Sequence, residues 1–285
     1  MILLTGITGN NGSATANALL KRGVKFRALV RDKEKAAEWA EKGVELVQGD
    51  LNDPASVEAA LKGCDKAVLI LSNGQDQERL EIGFIKTAKE CGIEHLVKLS
   101  SPEAVPGTTS PTPLAHLAAE NALKESGMNW TLVRPAFFMQ NLTGSIMGAK
   151  ASGKISMPMG NGTVALTDCG DSGEFIAMVL TTDPEEHYGK CYDITGPDEP
   201  FTFSDIARVI GEVIGREVVY EDCDPKAFQE AIRPFVSSDW HSDAVAILFA
   251  KIADGTTPGI KTTTFQDMMG RPGTSFKEYV QRIAG

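Results

Sequence analysis

The chain has 285 residues, 42% of them hydrophobic and 23% charged, and a formal net charge of −10. Length and composition suit a globular protein with a full core and a smaller appended lobe. The acidic balance excludes a nucleic-acid surface, which needs clustered Lys and Arg, and no apolar run approaches the ~20 residues of a membrane span.

Residues 1–4 are apolar and run into TGITGNNG over 5–12; a helical stretch over 13–22 stops at Gly23. No signal or transit peptide is expected ahead of this start, and a cytoplasmic location is the expectation. Strand, glycine turn and helix in that order present helix N–H groups to a phosphate. The glycine spacing is G-x-x-G-x-x-G rather than the standard dinucleotide G-x-G-x-x-G. Gly6, Thr8, Gly9, Asn10, Asn11 and Gly12 are read as a pyrophosphate cradle, against the plain alternative of an ordinary βα turn.

Residues 24–30 read as a second strand, and Arg31-Asp32-Lys33-Glu34-Lys35 opens a helix ending at Gly43. A short strand follows at 44–47, and Asp53-Pro54 supplies an N-cap and a proline at the first helical position. Residues 66–71 (KAVLIL) are a continuous apolar run, as in a strand buried on both faces. Then come a helix at 77–90, a strand at 95–99, a helix at 114–126 and a strand at 130–133. Such alternation over about 135 residues predicts an α/β fold with a parallel, doubly wound sheet. Ligands bind such sheets at the carboxyl ends of the strands. Five ends therefore supply candidates: the glycine turn, Arg31, Asp50-Leu51, Leu71-Ser72-Asn73, and Ser100 with Ser101.

The second half is less regular. Residues 153–162 read as a loop rich in Gly, Met and Pro, 171–180 as a helix and 191–195 as a strand, and beyond Gly196-Pro197 a smaller, mostly helical C-terminal lobe is expected. Cys64, Cys91, Cys169, Cys191 and Cys223 form no C-x-x-C pair, and the four histidines have no ligand spacing. Reduced thiols and no metal site are expected.

At the end of the second strand an NAD site would place a carboxylate; here stands Arg31, with Lys35 a turn further on. A guanidinium forks onto a 2′-phosphate that a carboxylate would repel, so NADP(H) is preferred to NAD(H). Arg31 and Lys35 as solvated surface charges remain the alternative. Asp50 is placed at the adenine by position, or is a plain turn residue.

These features, with VRDKEKA, QGDLNDPASVEAALKG, AHLAAENALKESGMNWTLVRPAFFMQN, the GNG-x4-TD-x2-D segment and GRPGTSFKEYV, resemble the NmrA-like branch of the atypical short-chain dehydrogenase/reductases over nearly the whole chain. That branch includes NAD(P)H:quinone oxidoreductases and triphenylmethane reductase, together with repressors and redox sensors that bind the cofactor. The resemblance implies a Rossmann-type NADP-binding domain over 1–136 and about 163–195, and a substrate-binding lobe over about 137–162 and 196–285. It also implies that residues 8–12 contact the pyrophosphate and that Arg31 and Lys35 hold the 2′-phosphate.

Alcohol-oxidising members use a Tyr-x-x-x-Lys pair on the helix after the fifth strand, but here that helix reads His116-Leu117-Ala118-Ala119-Glu120, and no Tyr-x-x-x-Lys occurs anywhere. Reduction of an already electrophilic quinone, dye cation or alkene needs less help than ketone chemistry, mainly proximity and orientation. His116 is a candidate acid, or a histidine packed between helix and sheet. Glu120, one turn on, either orients His116 or is a surface charge. Phe137, Phe138 and Met139 form an apolar acceptor pocket with Ser101, or belong to the core. The expected function is an NADPH-dependent reductase of a quinone-like or planar aromatic acceptor. The alternative is a non-enzymatic NADP(H)-binding sensor acting through a protein partner. A small-molecule acceptor is the expected partner, neither nucleic acid nor membrane is, and homodimerisation is left open.

Overall fold

The computed structural model describes residues 1–236 and 238–284; Ser237 and Gly285, the end of the expected lobe, lie outside the described residues. In chain order the first half runs β1 (Ile2–Leu4), α1 (Asn10–Lys21), β2 (Phe26–Val30), α2 (Ala37–Glu41), β3 (Glu45–Gln48), α3 (Pro54–Leu61), β4 (Lys66–Leu69), α4 (Gln77–Glu90), β5 (His95–Leu99), α5 (Pro111–Glu125) and β6 (Asn129–Pro135). Then come β7 (Phe137–Phe138), α6 (Thr143–Ser152), β8 (Lys154–Met157), β9 (Thr163–Val164), β10 (Leu166–Thr167), α7 (Cys169–Thr181) and β11 (Lys190–Ile194). The chain closes with β12 (Phe201–Thr202), α8 (Phe203–Ile214), β13 (Val219–Asp222), α9 (Pro225–Ile232), α10 (Asp239–Ala253), α11 (Thr264–Met269) and α12 (Phe276–Ala284).

The main sheet has the order β3-β2-β1-β4-β5-β6-β11, and β1 to β6 pair in parallel. This is a doubly wound Rossmann-type sheet. The order reverses between β1 and β4, the switch point at which such sheets bind ligands. Thr5 ties the two strands together there: its hydroxyl donates to the Ile70 carbonyl at 2.8 Å and accepts from the Ile70 N–H at 2.8 Å. Leu69, Leu96 and Leu132 share a core with Phe84, Ile85 and Ala88 of α4 and Ala119 and Leu123 of α5. The apolar run expected to form a strand to Leu71 ends its pairing at Leu69, and the Ile70 N–H and carbonyl bond the Thr5 hydroxyl instead.

The chain forms two compact units, one over residues 1–134 and 169–192, the other over 135–168 and 193–285. α7 belongs to the first, packed on α1. The second is organised around an apolar core drawn from α6, α8, α10 and α12, including Ile146, Phe203, Ile206, Phe249 and Phe276. Its α8 opens with a reciprocal cap, Thr202 accepting from the Asp205 N–H and Asp205 from the Thr202 N–H. The stretch read as a loop over 153–162 carries β8, which pairs in parallel with β13. Met157 and Met159 are buried in this unit's core. No helix among the described residues is long and apolar enough to cross a membrane.

Candidate functional site

The glycine turn begins where β1 ends. Gly6 has φ +71°, in the left-handed region, and a Cβ there would lie 2.7 Å from the Ile70 carbonyl oxygen. A Cβ on Gly12 would lie 2.0 Å from the Gly6 carbonyl oxygen, so the first turn of α1 sits directly on the loop that feeds it. Both positions therefore demand glycine. Gly9 occupies the N-cap without a side-chain hydrogen bond, and Thr8, Gly9 and Asn10 are exposed. The first-turn N–H groups are thus left for an outside acceptor, at the positive end of a twelve-residue helix. Asn11 Oδ1 is buried with no partner among the described residues, a further polar atom unaccounted for by the protein itself. A pyrophosphate fits this cradle.

Along the same rim, Arg31 follows β2 directly. Arg31 and Lys35 are exposed and form no salt bridge among the described residues. Asp32 Oδ1 accepts from the N–H groups of Glu34 (2.9 Å) and Lys35 (3.3 Å), which closes its own turn. The Gln48 amide donates to the Arg31 carbonyl and fastens the end of β2 to that of β3. Asp50 Oδ1 accepts from the backbone and side chain of Asn52 at 2.8 and 2.9 Å. These bonds, with a smaller contribution from the Arg31 charge, hold the Asp50 carboxyl below its usual range. Leu51 beside it is half-buried.

The remaining strand ends differ in what they offer. Leu71 and Asn73 are half-buried, Ser72 is exposed, and the two polar side chains make no hydrogen bond among the described residues. Ser100 is buried, and its hydroxyl donates to Glu120 Oε1 at 2.7 Å. Ser101 donates to Glu103. Glu120 is neither a surface charge nor a partner of His116. It is fully buried and accepts from Arg134 Nε at 2.7 Å, from a second Arg134 nitrogen and from Lys124 at 3.1 Å. Burial pushes its carboxyl up, but the bonds from Arg134 and Ser100 outweigh that and leave it below the usual range. Arg134 also donates to the Ala104 carbonyl, anchoring the segment after β5.

His116 is buried on the sheet side of α5 in a cluster that sequence reasoning did not find. Lys98 of β5 is fully buried, with its ammonium 2.9 Å from Glu81 Oε2 of α4, 2.9 Å from His116 Nδ1 and 3.0 Å from the Leu99 carbonyl. Gln77, also buried on α4, lays its amide 3.2 Å from each ring nitrogen. Burial, reinforced by the Lys98 and Arg134 cations, holds His116 well below the usual imidazole range. Burial raises the Glu81 carboxyl while Lys98 pulls it the other way. One signal was available: a lysine set among the apolar residues of Leu96-Val97-Lys98-Leu99.

Phe137, Phe138 and Met139 belong to the second unit. Phe137 and Phe138 are half-buried in β7, which pairs in parallel with β10, and the Phe137 ring lies 6.2 Å from that of Phe249. Met139 is fully buried in the core of that unit. Among the described residues no group of His, Cys, Asp and Glu could hold a metal.

The NmrA-like family profile matches residues 1–251. The chain is 32% identical to an NAD(P)H azoreductase of Xenophilus azovorans, over 100% of this chain and 98% of that one. Its fold is similar to that of an NADPH-dependent quinone oxidoreductase of Escherichia coli complexed with NADPH, with a TM-score of 0.89, 26% identity and 100% of both chains covered. The Citrobacter sp. triphenylmethane reductase complexed with NADP(H) is also similar, with a TM-score of 0.87, 26% identity and 99% of both chains covered. The glycine cradle, the basic rim and these likenesses agree, and the chain belongs to the NmrA-like family.

Proposed function

We propose that this protein is an NADPH-dependent reductase of quinone-like or planar aromatic acceptors. The observation that carries the cofactor choice is the pair Arg31 and Lys35, exposed and without a salt bridge beside the glycine cradle, while Asp32 is occupied by its own turn. A guanidinium there forms charge-assisted bonds with a 2′-phosphate. The azoreductase and quinone oxidoreductase relatives support the reaction class.

NADPH supplies a hydride when bound. The residues of the chain then hold the cofactor and the acceptor. The Gly6–Gly12 turn and the first turn of α1 take the pyrophosphate through backbone N–H groups, Arg31 and Lys35 take the 2′-phosphate, and Ser72 and Asn73 lie further along the rim at the end of β4. Asp50 and Leu51 flank the adenine. Phe137 and Phe138, half-buried in β7, offer two aromatic faces to the acceptor. Without a Tyr-x-x-x-Lys pair, no phenol is poised to exchange a proton with a ketone or alcohol. Acceptors already electrophilic need orientation rather than an acid. We assign His116 the role of a neutral hydrogen-bond donor, because burial among cations disfavours its imidazolium form.

NADPH oxidation measured against quinones, azo dyes and triarylmethane dyes tests the proposal. Turnover with at least one of these classes and none with simple ketones is expected. Tight NADPH binding without turnover on any acceptor would sink the reductase and favour a cofactor-binding sensor. His116→Ala with undiminished kcat across pH 5–8 would remove His116 from the reaction.

A further inference from the structure

The Lys98 ammonium lies 2.9 Å from a carboxylate oxygen of Glu81, 3.0 Å from the Leu99 carbonyl and 2.9 Å from Nδ1 of His116. The Gln77 amide, whose oxygen is otherwise unpartnered among the described residues, packs against both ring nitrogens. An ammonium donates and has no lone pair with which to accept. Its contact with Nδ1 therefore requires a lone pair there, which puts the imidazole hydrogen on Nε2. Lys98 and Glu81 are both fully buried, in a layer whose other members on the strands are Leu69, Leu96 and Leu132. A charge pair there costs desolvation that apolar side chains would avoid. That cost calls for a use, and the group Lys98 touches besides its own strand and counter-ion is His116.

We propose that Lys98 is a positioning residue that locks His116 as the neutral Nε2–H tautomer, so that the site offers a hydrogen-bond donor that does not titrate across the physiological range. Every charged or titratable group around the imidazole is consistent with this. Lys98 approaches from β5 and Glu81 from α4, while Arg134 lies on β6. Glu120, one turn further along α5, is neutralised by Arg134 and Lys124. The cation in contact with the ring opposes a second proton, and the one facing carboxylate, 4.0 Å away, is already paired with Lys98. The kinetic consequence rests on the reductase reading; the tautomer does not.

Nitrogen-15 NMR of the NADPH-bound protein, with His116 assigned through His116→Gln, reads the tautomer directly. A pyridine-type Nδ1 and a pyrrole-type Nε2, unchanged between about pH 8 and 5, are expected. An Nδ1–H tautomer, or an imidazolium appearing with a pKa near the ordinary value of about 6.5, would overturn the proposal. The paired variant Lys98→Met/Glu81→Gln removes the lock and leaves no unpaired charge in the layer. In it, His116 is expected to mix tautomers and titrate, and kcat with a quinone acceptor, flat in the parent, is expected to step down through the new pKa to a plateau set by the fraction of the Nε2–H tautomer. A flat profile in a variant whose His116 does titrate would overturn the kinetic half. Absence of turnover in the parent would instead sink the reductase reading and leave the NMR result standing. If the paired variant does not fold, the parent spectrum alone still decides the tautomer.

Discussion

His95 shows how far a single buried side chain shapes the response to pH. It is fully buried at the start of β5, and its Nε2 lies 2.8 Å from the Thr131 hydroxyl. That hydroxyl donates to the His187 carbonyl at 2.7 Å, so Nε2 must be the donor to it. Nδ1 is buried with no partner among the described residues. Protonation would place a hydrogen there with nothing to receive it, and burial, with the Lys66 and His187 charges, lowers the pKa to about 4. The unfolded chain, with an ordinary imidazole near 6.5, binds the proton first. Stability from this group is therefore complete above about pH 6.5 and falls as the pH drops towards 4, by about 3 kcal/mol in all. Urea unfolding of the parent and His95→Gln at several pH values tests this: the variant should lose about 3 kcal/mol less across that window, and parallel curves would refute the assignment. Arg31 carries the other prediction at this scale. Arg31→Ala should weaken NADPH binding by about 1.5–3 kcal/mol, the worth of hydrogen bonds to a charged group, and leave NADH nearly unchanged. Titration calorimetry with both cofactors reads it, and equal losses would move the 2′-phosphate elsewhere. Arg31 was legible because its position follows from counting strands. His95 was not: its burial depends on Thr131 and the 182–188 region, far along the chain.

Among elements, the contact that matters most to the cradle is α1 against α7. A Cβ on Gly173 would lie 2.4 Å from the Ala14 carbonyl carbon and 2.5 Å from the Thr15 nitrogen. The two helices thus cross in backbone contact within one turn of the glycine loop. Gly173→Ala has to push the start of α1, and overpacking of this kind costs about 1–3 kcal/mol of stability. Because the shift moves the pyrophosphate end and not the 2′-phosphate end, NADPH and NADH should weaken by the same factor, in contrast to Arg31→Ala. Unchanged affinity for both, in a variant that folds, would show that the crossing does not set the cradle. α7 was readable as a helix from its sequence. That it packs on α1, more than a hundred residues earlier, depends on tertiary contact, and so does the Lys98 cluster, which joins β5, α4 and α5.

For the molecule as a whole, the cofactor should act as a stabilising ligand. Binding to the folded state alone adds RT ln(1 + [L]/Kd), about 2.7 kcal/mol at a hundredfold excess over Kd. For a chain of this size that raises the thermal midpoint by roughly 5–10 °C. Differential scanning fluorimetry should show the shift with NADPH at concentrations where NADH produces much less; equal shifts would count against NADP(H) selectivity. The amino-acid sequence by itself determined the alternation of strands and helices, the glycine cradle, the basic rim after β2 and the missing tyrosine. Each of these is local, set by periodicity, by a backbone that only glycine can adopt, or by residue type at a countable position. Tertiary structure alone decided that Lys98 is buried and paired, that Glu120 binds Arg134 and Ser100 instead of His116, and that Met139 is core. Those outcomes depend on which distant side chains meet in a low-dielectric interior, where a charge must find its partner or give up its proton.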